Sequence, residues 1–148
     1  LAAAEAAANA LNELDGAVAT ISHHGVMALV HAARGEADRA TALMDEAIEI
    51  AETRGAPRGA PTPLKPAHEL YGEILLELDR PADAVEMFER SLRRTPNRAL
   101  SLRGLARAAM TTGEPDTARA QAAQRVDQWR GADDAEILQE ARRLLGGS

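Results

Sequence analysis

The chain's metal-ligating chemistry rests on His23, His24, His31 and His68, its only histidines. Neutral imidazole suits zinc, copper or nickel. His24 and His31 are seven residues apart, so on a helix they share a face. That spacing is about 10 Å along a helix axis, too long for two ligands on one ion unless a neighbouring element closes the gap. His68 is the candidate third ligand. Two readings stand open: a weak three-histidine metal site, or histidines that pack or face solvent. No cofactor is expected.

Glu73 and Glu77 are one helical turn apart, the spacing at which two carboxylates can share acid–base work. Arginines are expected beside them, which points to two charged groups of a binding surface and away from a catalytic pair. There is no cysteine, so thiol catalysis, disulfides, iron–sulfur clusters and thiolate zinc sites are excluded. Gly104 and Gly113 are isolated and form no phosphate-cradling loop. No serine or threonine sits in a nucleophile motif. The sequence is read as that of a non-enzyme.

The elements that carry these side chains are helices. Of the 148 residues, 45% are hydrophobic but only 2% aromatic. Alanine and leucine supply most of the apolar surface, and both are good helix formers. Residues that favour strands are scarce. The net charge is −6, concentrated in residues 1–64. Such a chain offers neither a basic footprint nor stacking platforms for nucleic acid. No run of apolar residues is long enough for a membrane span.

Three stretches align without gaps: Gly35-Glu36-Ala37-Asp38-Arg39-Ala40, Asp79-Arg80-Pro81-Ala82-Asp83-Ala84 and Gly113-Glu114-Pro115-Asp116-Thr117-Ala118. Each reads as a tight turn that opens a helix, with Gly or Asp at the left-handed position and Pro81 and Pro115 in the first helical turn. The second and third stretches are 34 residues apart. The first and second are separated by the same period plus an insertion, visible as the Gly/Pro-rich segment 55–64. Within the second unit, Leu70, Tyr71, Ile74, Leu75 and Leu78 have helical spacing, predicting a helix over Ala67–Leu78. Ala84, Val85, Phe88 and Leu92 predict a second over Pro81–Arg93, stopped at Thr95-Pro96-Asn97.

Residues 65–98 resemble a tetratricopeptide repeat: Gly72 stands at the small position where the two helices touch, Ala84 is the small residue of the second helix, Phe88 the large plug and Pro96 the terminator. Residues 99–132 match through Leu105, Ala106, Gly113 and Ala118, departing at Ala122 and Arg130. Residues 21–54 match through Ala28, Gly35, Ala40 and Ala47, with Met44 as plug and Glu52 in place of proline. Residues 1–15 keep the phase at Ala6, Ala10 and Leu14, as the second helix of a preceding half repeat would. Residues 133–145 read as a solvated capping helix. The stretch from Pro61 to Trp129 particularly resembles the C-terminal repeats of large bacterial proteins of this class.

The resemblance implies an all-α, right-handed superhelical stack of about eight antiparallel helices in one domain. It also implies a concave groove lined by the first helix of each repeat, used to bind a peptide or partner protein. The groove positions are Ser22, Gly25, Leu29, Ala32 and Ala33 in the first repeat, Glu69, Glu73, Leu76 and Glu77 in the second, and Arg103, Arg107, Met110 and Thr111 in the third. Glu69 is expected beside Arg103, and Glu73 beside Arg107, either as pairs that set stacking register or as a row that binds charge. The family's two-carboxylate clamp needs Lys and Asn where this chain has Gly25 and Leu29, so that partner class is not expected. His68 falls at the repeat position of His24.

The alternative function is a small-ligand or metal-binding module built on the groove and the histidines. The loop from Gly55 to Pro66 reads either as an extended surface linker or as a flap over the groove. The seven alanines of residues 2–10 leave a small apolar face that suggests self-association. Cytoplasm is the default location; a periplasmic one stays open, since the chain begins at Leu1 and a signal segment would lie before it.

Overall fold

The computed structural model describes residues 1–55, 63, 65–96, 98–112, 116, 120, 123 and 135–146. The described chain is an all-α stack. Its helices are α1 (Ala2–Asn12), α2 (Ala17–Ala33), α3 (Ala37–Thr53), α4 (Ala67–Glu77), α5 (Pro81–Arg94), α6 (Ala99–Thr111) and α7 (Ala135–Leu144), with no strand among the described residues. The third predicted turn, at Gly113-Glu114-Pro115, lies outside the described residues, as do Ala118, Ala122, Arg130 and most of segment 55–64.

The turns behave as their residues dictate. Gly35 and Asp79 both take positive φ, 76° and 56°, and each is followed by a new helix. Pro81 occupies the first turn of α5, where a missing N–H leaves no bond unmade. Such short connections fold each helix back on the one before. Each pair so formed packs closely, and α4 also touches α2 on one side and α6 on the other.

The core runs through the stack as a file of large plugs among small residues. Met44 and Phe88, the two plugs expected from the sequence, are fully buried, beside Ala28, Ala40, Ile74, Ala84 and Ala106. A Cβ added to Gly72 would lie 2.8 Å from the Phe88 ring, and one added to Gly104 would lie 2.3 Å from it. The ring is therefore seated between α4 and α6 at two points where only glycine fits. α7 closes the stack, burying Ala141 and packing Ile137, Leu144 and Leu145 on the core. No described helix is long and apolar enough to cross a membrane.

α1 departs from expectation. Ala6, Ala10 and Leu14 are exposed, and Ala8 is the residue buried against α2. His23 donates its Nδ1–H to the Ala8 carbonyl at 2.8 Å, which fixes α1 through its opposite face. An alanine-rich helix has no size contrast to choose a face, so a hydrogen bond chooses it.

The joint between the first helix pair and the second is stitched by polar groups. Glu52 of α3 accepts from His68 Nε2 of α4 at 3.1 Å and also from Arg90 of α5. Arg94 of α5 caps the end of α3, donating to the carbonyls of Ala51 and Gly55. Glu52 thus takes the place of the expected terminal proline and serves as a junction of three helices.

Candidate ligand groove

The touching edge of α2, α4 and α6 carries two hollows. The first lies between α2 and α4, has a volume of about 300 Å³ and is mostly apolar. Ser22, Gly25 and Leu29 line it as expected, joined by Ile21, Val26, Met44, Ala67 and Leu70. Leu29 is a large apolar side chain left 40% exposed at its rim. Gly25 lets α4 approach: a Cβ there would meet Leu70 Cδ2 at 2.8 Å. Pro63 and Lys65, in the loop before α4, also line this hollow.

The second hollow, about 330 Å³, lies between α4 and α6 and is lined by Glu73, Leu76, Glu77, Phe88, Leu100, Arg103, Gly104 and Arg107. Glu73 lines both hollows, so they adjoin as one trough. Lys65 donates to Glu73 at 2.5 Å and marks the divide. Repeat counting from the helices missed this pair, because Lys65 stands before α4 and outside its helical spacing.

The charged row is not paired as expected. Glu69 is fully buried, so it is withdrawn from the groove surface and does not meet Arg103. It accepts two hydrogen bonds from Arg98, at 2.6 and 2.9 Å, and one from Ser101 Oγ at 2.6 Å. Ser91 and Ser101 share a further bond of 2.9 Å. A buried carboxylate demands the nearest geometry that satisfies both oxygens. Arg98, just before α6, offers a planar fork that Arg103 on the outer face does not. Arg103 instead reaches Glu140 of α7 at 3.4 Å. Glu73 is engaged by Lys65, and Arg107 has no carboxylate partner among the described residues. Ala33 and Met110 are exposed but line neither hollow.

The histidines do not converge. His24 faces Glu46 of α3 at 3.7 Å, His31 donates to Glu36 at 2.5 Å, and His68 donates to Glu52. No group of three or more His, Asp or Glu among the described residues is placed to hold a metal ion. The three-histidine site is thus set aside: His31 is drawn to the α2–α3 turn and His68 to the far end of α3. Burial holds His24 below the ordinary histidine range; Glu46 opposes this and His23 adds to it. Burial likewise lowers His68, against the pull of its bond to Glu52, with Arg90 and Arg94 reinforcing the shift. Hydrogen bonds from His68 and then Arg90 lower Glu52. These are groups of the scaffold, outside both hollows.

No family model, curated protein or solved structure matches the chain.

Proposed function

We propose that the chain is a non-catalytic scaffold of the tetratricopeptide type that takes an extended segment of a partner protein in the trough along α2, α4 and α6. The observation that carries this reading is the pair of hollows sharing Glu73, one apolar and one charged. An apolar hollow of this size accepts one large side chain. The charged hollow beside it orients polar groups, in the usual division between anchor and specificity. Packed helices lie about 8–10 Å apart, and an extended chain rises about 3.3 Å per residue. The two hollows are then addressed by residues two or three apart in the bound segment. The phased turns at Gly35 and Asp79, the plugs Met44 and Phe88, and the edge formed by α2, α4 and α6 support the repeat reading.

The test is selection from a random-peptide display library on the immobilised protein, with Leu29→Asp and Arg107→Glu variants run in parallel. The expected result is a consensus containing one large apolar residue, whose binding falls at least about tenfold, or about 1.4 kcal/mol, with Leu29→Asp. Enrichment that is absent, or indifferent to both substitutions, would overturn the proposal. Enrichment failing while a small apolar compound binds the α2–α4 hollow would favour the small-ligand alternative.

A further inference from the structure

The apolar hollow is not confined to one helix pair. Its walls are α2 and Met44 of α3 on one side, and Ala67, Leu70 and Glu73 of α4 on the other. It therefore straddles the joint between the two pairs. Consecutive helices within each pair are joined by three residues, 34–36 and 78–80, whereas the α3–α4 connection runs from 54 to 66. Chain connection restrains this joint less than it does either pair, so the joint is held by the shared core and by side-chain bonds across it.

Those bonds are few. His68, only 2% exposed, sits on the first turn of α4 and binds Glu52 of α3. Arg90 of α5 binds the same carboxylate, and Arg94 of α5 holds the end of α3. Asp45 of α3 bonds Tyr71 of α4 farther along. The charged groups facing His68 are therefore Glu52 from α3 and Arg90 and Arg94 from α5.

We propose that this joint is a proton-sensitive hinge: protonating His68 parts α3 from α4 and opens the apolar hollow. A protonated imidazole here places a third cation beside Arg90, which already holds Glu52 and reaches Glu86 at 3.9 Å, and Arg94, which is held by carbonyls; Glu52 is the carboxylate that faces His68. Burial removes the water that would solvate the added charge. Opening returns His68 to water, where it takes a proton near the ordinary histidine range. Protons thus bind the open form more readily, and acidification favours it. The inference rests on the joint alone and holds whether or not the trough takes a peptide.

The absence of cysteine permits a clean test. Dyes on Ala42→Cys of α3 and Ala82→Cys of α5, both exposed positions, report the joint by energy transfer. Between about pH 7.5 and pH 5 the separation should grow in the otherwise wild-type chain. It should stay constant with His68→Gln, whose side-chain amide can still donate to Glu52 but does not titrate. Hydrogen exchange on the cysteine-free, unlabelled wild type gives a second reading that needs no variant. After correction for intrinsic rates, the facing ends of α3 and α4 should lose protection at low pH while α5 and α6 keep theirs. No change in separation, the same change in His68→Gln, or a uniform loss of protection would each overturn the hinge.

Discussion

Replacing Gly104 by alanine tests the seating of the Phe88 ring. The added methyl would lie 2.3 Å from Cε1, 2.4 Å from Cζ and 2.8 Å from Cδ1 of Phe88. The side chain is fully buried, and a Cβ at Gly72 would likewise crowd Cζ, Cε1 and Cε2 at 2.8–2.9 Å, so the ring lies close against both helices. Overpacking a well-filled core costs about 1–3 kcal/mol, and three contacts below 3 Å on a fully buried ring place this case near the upper end. Alanine returns about 1 kcal/mol through helix propensity. The expected net loss is about 2 kcal/mol, or roughly 4–8 °C in Tm for a chain of this size. Gly25→Ala is the internal control. Its contact at 2.8 Å is the end of Leu70, a flexible side chain beside open volume, so its effect should stay within about 1 kcal/mol. Urea unfolding followed by circular dichroism measures both, with an unchanged m-value required. Gly104→Ala combined with Phe88→Leu should recover part of the loss, giving a coupling of about 1 kcal/mol or more. A Gly104→Ala protein as stable as the parent would refute the claim that the ring is fixed between two helices.

Glu69→Ala removes the buried carboxylate that Arg98 and Ser101 share; a loss of about 3 kcal/mol is expected, read from urea midpoints. Arg94→Ala removes the cap on the Ala51 and Gly55 carbonyls and should cost about 1–3 kcal/mol, with faster amide exchange confined to the last turn of α3. Tyr71 is the only tyrosine, and burial first, then its bond to Asp45, pushes its phenol up to about 12. Ultraviolet titration should therefore show no phenolate at the ordinary value near 10. Because the folded value is the higher one, the stability tied to the neutral phenol is intact below pH 10 and is lost as pH rises from about 10 to about 12.

The parts of the fold legible in the sequence are those fixed by backbone chemistry and by size contrast. Gly35, Asp79 and Pro81 located the turns, since few residues suit left-handed angles or a first helical turn. The predicted helix over Ala67–Leu78 is observed as Ala67–Glu77, and that over Pro81–Arg93 as Pro81–Arg94. Met44 and Phe88 stood out as large residues among alanines and are buried. Pairing of charges was not legible. A fixed offset of 34 residues assigns Glu69 to Arg103, but burial selects Arg98, from the connection before α6. The Lys65–Glu73 bridge crosses from the loop before α4 to the helix itself, where neither period applies. The face of α1 was equally hidden, because its alanines differ in nothing but position.

The Phe88 ring also forms part of the charged hollow that α4 and α6 enclose. Its thickness sets the gauge of the cleft above it, as a shim sets the gap between two rails. A change at this one core position would alter the width of the hollow while leaving every charge on its walls in place. The spacing of α4 and α6 can thus be retuned from beneath, without changing a charged side chain.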